Sequence, residues 1–490
     1  MVYKLFHQEG PTCLEKLVGD FAFAIWDPQK ETLFAARDQM GQRLIYYTIQ
    51  PGKFFAFSTV ISGLLALEQI GRKINNAKVN DFLNLSCSNP EQTFFDDLFR
   101  LEPGQYLEFK DGNLQLNSYW SLDNINPVRF GKDEDYLEAF REIFDKAVQS
   151  RLRSLYPVGA HLSGGLDSSS VVAMAVKNGR PMTTFSAFPP VGYQGPTRPN
   201  WNLDDTHYIE SMSSYYPNLE TVILRSENRN LFSGLDATYP YLDAPCLNPC
   251  NRIWIDEIFE EALNRDMRVL LIGMTGNATI SWKGQTFKQR LGWWARAPKR
   301  FLKPSRWDMK DPRHWMIMGG LIQETLSFFQ SERAYWGVEF RDPTHDKRLV
   351  EFCLGLPNAQ YARQNTNRML VRRAMRGLLP ELIRIRKDQG AQLAQWPQVL
   401  QESYSQIKKE WSKISIRSQV VLGDYSEQVT RWIETWPQAK IHSHNVLQEY
   451  RRDFLRAFFM ARWMNWNWCD GTRRNKRSMD LSGDYPNHGH

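Results

Sequence analysis

Ser163-Gly164-Gly165-Leu166-Asp167-Ser168-Ser169 holds the residue types that handle a phosphate anion. Two adjacent glycines let the backbone approach an anion with no Cβ in the way. Ser163, Ser168 and Ser169 add hydroxyl donors. Val158-Gly-Ala-His-Leu162 reads as a short buried strand entering the loop, and a helix from about Ser168 to Asn178, ended by Gly179, leaves it. A helix N-terminus offers unpaired N–H groups and partial positive charge. Asp167 would repel a phosphate oxygen directly, so it reads as a magnesium ligand, with Mg2+ bridging to the phosphates. No Gly-Lys-Ser/Thr follows the glycines, so this is not a Walker loop. The ligand reads as a pyrophosphate about to leave ATP. The competing reading is a glycine-rich turn with no ligand.

The elements that must position this loop belong to an α/β fold. At 490 residues the chain is expected to hold two domains. Residues 1–122 read as β-rich: Phe21–Trp26, Thr32–Ala36, Leu44–Tyr47, Phe54–Phe57 and Gln105–Phe109 are short apolar runs separated by turn signals. Short strands with regular turns predict a partial antiparallel β-sandwich. A polar linker with Pro127 and Gly131 spans 123–133. Tyr136, Phe140, Ile143, Phe144, Ala147 and Val148 recur at helical spacing. Thr183–Phe188, Glu220–Leu224 and Arg268–Ile272 read as further buried strands with helices between, which predicts a parallel, doubly wound sheet. Residues 189–205 read as a polar insertion. After Gly284 the pattern turns helical. Residues 471–490, polar and basic, are expected to be a disordered tail. No internal repeat is present.

Bulk properties narrow the class. The net charge is +7, and the basic residues are spread out without interleaved aromatics, which argues against a nucleic-acid surface and allows an anionic ligand. Aromatics make up 13%, with many of the 17 Trp in the second half; this marks either a ligand pocket or a bulky core. The six cysteines make no disulfide framework, and Cys246-x-x-x-Cys250 is a weak metal signal. No apolar stretch of about 18 residues and no leader are found. A cytoplasmic protein with no membrane partner is expected.

The loop resembles the PP-loop of the ATP-pyrophosphatase superfamily. Over roughly residues 15–400 the chain resembles the asparagine synthetase family. Gly19-Asp-Phe-Ala-Phe-Ala-Ile-Trp-Asp27, Ala36-Arg-Asp38, Gly41, Arg43–Tyr47, Leu101-Glu-Pro-Gly104 and Tyr119-Trp120 resemble its glutaminase-type domain. Trp336-Gly-Val-Glu-Phe-Arg-Asp-Pro343 with Asp346 resembles a family segment that reads Glu-x-Arg-x-Pro-x-x-Asp. The resemblance implies a truncated or degenerate class II glutamine amidotransferase-like domain over 1–122 and an ATP-pyrophosphatase domain over 133–470. A working glutaminase of this class uses an N-terminal Cys. Here residue 2 is Val, and Cys13 lies outside that context, so glutamine hydrolysis is not expected.

A second departure lies at Gly273-Met-Thr-Gly-Asn-Ala-Thr-Ile-Ser-Trp-Lys-Gly284, where the family carries Gly-Glu-Gly-x-Asp-Glu. Met274, Asn277 and Ala278 replace three carboxylates, which leaves Asp167 with fewer partners for the metal. This pattern is similar to the lasso-peptide cyclases, as are Asn367-Arg368, Arg372-Arg373 and Arg386-Lys387 with Gly390-Ala-Gln392. Those homologues adenylate an Asp or Glu side chain of a peptide and close a ring with its N-terminal amine. The resemblance implies a precursor peptide or small carboxylate as substrate, with a leader-binding protein and leader protease as possible partners. The alternatives are an asparagine synthetase-like enzyme using ammonia or another small amine, and an inactive peptide-binding scaffold.

The resemblance also suggests roles. Glu339 would orient or deprotonate the attacking amine, unless it only pairs with Arg341. Lys387 would stabilise acyl and pyrophosphate charge, with Arg386 competing for that role. Gly273 joins the ATP and pyrophosphate set. Ser186 lies near the adenine or simply packs. Asp204 and Asp205 read as helix caps. His161 reads as a core histidine, and Trp282 as either a substrate wall or core.

Overall fold

The computed structural model describes residues 2–195, 200–227, 229–284, 311–363, 366–391, 394–436 and 449–469. The expected tail (471–490) and Gln392 lie outside them.

The first 120 residues form two antiparallel sheets. β1 (Ala22–Asp27), β2 (Thr32–Arg37), β6 (Gln105–Lys110) and β7 (Asn113–Ser118) make one sheet in that order. The other has the order β4 (Phe54–Ser58), β3 (Tyr46–Gln50), β5 (Phe99–Arg100). The Asp27-Pro28 signal is a real turn: Asp27 Oδ1 accepts from the N–H groups of Gln29 (3.0 Å) and Lys30 (3.1 Å). Ala35, Ile45, Tyr47, Leu101 and Leu107 form one shared core. Cys13 is fully buried in a second cluster with Leu14 and Phe34, and burial pushes its thiol pKa up.

The expected linker over 123–133 is mostly exposed and is anchored at its ends and at Val128. Leu122 is buried, and the Val128 N–H donates to the Gly355 carbonyl (2.9 Å). Helix α1 (Asp133–Arg151) then leads to a five-stranded parallel sheet. Its order is β11 (Leu219–Leu224), β9 (Met182–Ala187), β8 (Val158–His161), β12 (Val269–Leu271), β13 (Glu339–Arg341). Alternate residues feed two cores. Phe185 and Leu270 face one, while Ala160, Met182 and Leu271 face the other. The sheet is therefore covered on both sides, as apolar runs such as Val269–Leu271 require.

The expectation of helix throughout after Gly284 is corrected. β13 adds a parallel edge strand, and β14 (Gln389–Gly390) pairs with β10 (Trp201–Asn202) inside the supposed polar insertion. Strands of two or three residues are too short for periodicity to reveal. Among the described residues, no helix is long and apolar enough to cross a membrane.

Helix α5 (Gly320–Trp336) joins the two halves. Arg37 donates to Gln323 (2.8 Å), Tyr46 and Ser327 share a hydrogen bond (2.8 Å), and Glu324 binds Lys78 (2.7 Å) and Arg100 (3.2 Å). Burial pushes the Glu324 carboxyl up, but its two cations outweigh burial and hold it below the ordinary range. One apolar cluster runs from Tyr46, Phe82 and Phe94 through Phe328 to Phe458 and Trp463 of the last described helix. The β-rich half is thus built into the same body as the parallel sheet.

Candidate functional site

The loop sits at the C-terminal end of β8, the central strand, where open parallel sheets gather ligands. Helix α2 (Leu166–Val176) starts at Leu166, two residues earlier than the sequence suggests. Gly164 has φ +73°, and a Cβ there would lie 2.9 Å from Tyr208 Cβ, so both backbone and neighbour demand glycine. Ser168 Oγ accepts from the Ser163 N–H (3.1 Å) and bonds Ser163 Oγ (2.9 Å), closing the loop on itself.

A second layer fixes the loop from outside. Arg386 donates to the Gly164 carbonyl (3.1 Å), pairs with Asp205 (2.8 Å) and Asp388 (2.5 Å), and lies 4.0 Å from the centroid of the Tyr208 ring. Tyr208 donates to Asp388 (2.9 Å), which also accepts from Asn202 (2.8 Å). From the other side, a Cβ on Gly273 would lie 3.0 Å from the Asp167 carbonyl carbon, and one on Gly276 would strike the Asp167 carboxylate. Asp342 holds this segment by accepting from the Thr275 N–H (2.8 Å).

Two cavities meet at the loop. The outer one is about 1030 Å³, the inner one about 420 Å³, and His161, Ser163, Gly165, Asp167, Trp254 and Asn277 line both. The inner wall is largely apolar, with Leu247, Ile255, Phe328, Phe329 and Phe340. The outer wall carries Lys283, Arg368, Arg372, Arg373, Arg376, Arg384, Arg386 and Lys387 against Asp167, Asp205 and Asp388. Several of these cations are engaged: Arg372 with the Arg386 carbonyl (2.6 Å), Arg373 with Gln360 (3.1 Å), Arg384 with Glu381 (2.6 Å), Arg368 with Asn277 Oδ1 (3.1 Å). Arg376 acts electrostatically on Glu381, while Lys283 and Lys387 have no hydrogen-bond or ion-pair partner among the described residues.

Asp167 is the carboxylate within the loop. Burial pushes its pKa up to about 6, with Ser281 and Arg368 pulling the other way. Its Oδ1 is buried with no hydrogen-bond partner among the described residues. Asn277 is engaged by Arg368, and Asp342 is engaged by backbone and Thr344. Among the described residues no group of three His, Cys, Asp or Glu could hold a metal. The donors therefore fit a magnesium that arrives on nucleotide phosphates and takes one protein carboxylate, not a metal caged by the protein.

The expected site residues divide accordingly. Ser163, Gly165, Leu166, Asp167, Arg386 and Lys387 line the outer cavity, while Ser168 and Gly273 line the inner one. Gly164 contributes its carbonyl to Arg386. Ser169 is fully buried and lines neither cavity. Ser186 also lines neither; it is fully buried and donates to the Leu162 carbonyl (2.5 Å), so it packs. Arg386 and Lys387 are distinct: Arg386 is buried and triply engaged, while Lys387 is exposed on the cavity wall.

Glu339 is not brought to the loop. It opens β13 opposite Val269, which pairs with Val158 at the far end of β8. There it binds Arg43 (2.9 Å), Arg333 (3.3 Å) and Arg341, and these hold its carboxyl below the ordinary range despite burial. Glu339→Gln is expected to lower the urea midpoint by breaking a buried ion cluster. It should leave turnover per folded molecule within about twofold of the parent, because a group far from the reacting atoms contributes no transition-state contact.

Three further readings change. Asp205 does not cap its helix; it neutralises Arg386, and Asp204 instead accepts from the Thr206 N–H (2.8 Å) and binds Arg225 (2.7 Å). Trp282 lines the outer cavity with Arg313 5.8 Å from its ring centroid. His161 is no enclosed core residue: it stacks on Trp254 (centroids 4.9 Å apart) at the junction of both cavities. Sequence reasoning missed Trp254, Phe328 and Phe329, whose only sequence signal was the high aromatic content, and Arg376, which had none.

Comparisons with known proteins agree with this architecture. Residues 139–330 and 315–420 match the asparagine synthase family, and residues 1–120 match a glutamine amidotransferase domain. Glutamine-hydrolyzing asparagine synthetase 3 of Bacillus subtilis is 26% identical over 459 residues, covering 83% of this chain and 71% of that protein. A putative glutamine-hydrolyzing asparagine synthetase 2 of Methanocaldococcus jannaschii is 31% identical over 220 residues, covering 44% of this chain and 41% of that one. Amidase chry2 of Gibberella zeae is 34% identical over 179 residues, covering 36% and 26%. The chain thus spans less than half the length of the last two. The family match takes in more than half of the residues, from α1 past the loop to the Arg386 buttress, and the chain belongs to the asparagine synthase family.

Proposed function

We propose that this chain is an ATP-dependent amide-forming ligase that adenylates a carboxylate and then joins it to an amine. The observation that carries this reading is the loop itself: helix α2 presents its N-terminus, and Asp167 its unpartnered oxygen, where a cationic cavity meets an apolar one. The carboxylate oxygen attacks the α-phosphorus of ATP, and the bond to the β-phosphate oxygen breaks. Pyrophosphate leaves with the bonding pair. The amine nitrogen then attacks the acyl carbon, the acyl–oxygen bond breaks, AMP leaves, and one proton is released.

In this reading the backbone N–H groups of the loop and Ser163 bind the pyrophosphate, and Lys387 neutralises its developing charge. Magnesium supplies phosphate charge neutralisation when it arrives with ATP; Asp167 orients it. Arg386 is a positioning residue that fixes Gly164. Five cysteines among the described residues are unbridged thiols, in keeping with a reducing cytoplasm as the compartment.

For the substrate we propose macrolactam closure of the lasso type on a precursor peptide, with a leader-binding protein and a leader protease as partners. The 273–284 segment supports it, since Met274 lines the inner cavity and Asn277 faces Arg368 where the family carries acids. The breadth of the outer cavity also favours a peptide. The asparagine synthetases among the relatives make a second reading an asparagine synthetase-like enzyme, here using ammonia or another small amine. Mass spectrometry of the product separates them. A peptide that loses one water and resists carboxypeptidase supports closure, whereas asparagine formed from aspartate and ammonium supports the second. A catalytically silent protein that still binds peptide would be the scaffold.

A further inference from the structure

We infer that His161 is the catalytic residue that takes the proton from the attacking amine. The inference rests on the ligase reading. An amine cannot finish its attack while its nitrogen stays positively charged, so a proton acceptor must stand beside the acyl carbon. Glu339 does not serve, because it lies at the opposite end of the sheet among three arginines. In the outer cavity Asp205 is locked to Arg386, and Asp388 is held by Tyr208, Asn202 and Arg386. Asp167 is committed to the phosphates.

His161 remains, and its placement is apt. It ends β8 two residues before Ser163, and its ring lines both cavities where they meet. Trp254 stacks on the ring at 25°, with centroids 4.9 Å apart. Neither ring nitrogen has a hydrogen-bond partner among the described residues. Asp167 from the loop lines both cavities with His161, and Arg252 of helix α4 (Pro249–Leu263) lines the inner one, where it is paired with Asp256 (2.9 Å). Burial alone lowers the ring pKa to about 4, so at neutral pH the imidazole is an uncharged acceptor. Phosphate charge brought in by the adenylate would raise its affinity for a proton. In the step, the C–N bond forms, the acyl–O bond breaks with its electrons going to AMP, and the amine proton moves to the imidazole.

The experiment uses the full chain and two variants, His161→Gln and His161→Phe; the second keeps a flat ring on Trp254. The probes are aspartate with ammonium, and a synthetic peptide bearing a free N-terminal glycine and one internal aspartate. Two rates are read: carboxylate-dependent ATP–pyrophosphate exchange and amide formation. Both variants are expected to keep exchange within about twofold while amide formation falls by about 10²-fold or more. Unchanged amide formation in the variants would overturn the inference. So would exchange that falls in step with amide formation, since His161 would then belong to nucleotide binding. Absence of exchange in the parent chain with both probes would be the failure of the ligase reading itself, and this inference would fall with it.

Discussion

Asp167→Asn is expected to reduce carboxylate-dependent ATP–pyrophosphate exchange by on the order of a thousandfold while raising the melting temperature. Both effects come from the same carboxylate. It is the acid of the loop, its Oδ1 is buried without a partner among the described residues, and Gly273 and Gly276 crowd it. An amide keeps the shape but loses the charge that holds a cation on the phosphates. In the unliganded fold that charge is a liability, because burial raises the carboxyl pKa to about 6. A carboxyl with a raised folded pKa contributes stability that is fully present below its unfolded value, about 4, and is lost as pH rises through the folded value. The melting temperatures of parent and variant should therefore coincide near pH 4 and separate between pH 4 and about 6, the variant being higher. Differential scanning calorimetry across that range checks the sign. A variant that is both active and no more stable would remove Asp167 from the phosphate site.

Neighbouring cations should behave in opposite ways. Arg386→Ala leaves Asp205, 3% exposed, with no countercharge, and frees the Gly164 carbonyl and the Tyr208 face. Removing one partner of a buried pair costs about 3–5 kcal/mol, a large share of the roughly 5–15 kcal/mol that typically holds a protein folded. Arg386→Lys should not rescue it, since a point charge reproduces neither the forked contacts nor the stacking. Lys387→Ala should leave the urea midpoint unchanged, because its ammonium has no partner among the described residues. Its cost should appear in exchange, as a fall of about 10²-fold. Urea melts and exchange rates on the same preparations read both. If Arg386→Ala were fully stable and Lys387→Ala unfolded, the division of labour at this corner would be reversed.

How much was readable beforehand depended on the length of the signal. Val158–Leu162 and Thr183–Phe188 are short runs without a carboxylate, lysine or arginine, and both fall on strands of the central parallel sheet, Val158–His161 and Met182–Ala187. The loop was readable because its glycines, hydroxyls and acid are contiguous. β13 was not, because three residues carry no periodicity. Nor was the fate of Glu339, since a motif says that a residue matters without saying at which end of a strand it sits. Here Arg43, 296 residues away in sequence, decided that question. His161 was misread for a similar reason. A histidine between Ala160 and Leu162 reads as core, yet alternation along β8 turns it toward the Trp254 face and a cavity assembled from four distant segments. The Arg386 buttress likewise depends on Asp205, which reads in the sequence only as a helix cap, and on Tyr208 within the helix that follows.

The most direct measurement is ATP–pyrophosphate exchange by the full chain, run with and without a carboxylate probe and repeated with Asp167→Asn. The account predicts exchange that appears only when a peptide or aspartate carboxylate is present and that Asp167→Asn abolishes. Exchange that ignores the carboxylate, survives loss of Asp167, or never appears with any peptide or aspartate would contradict it.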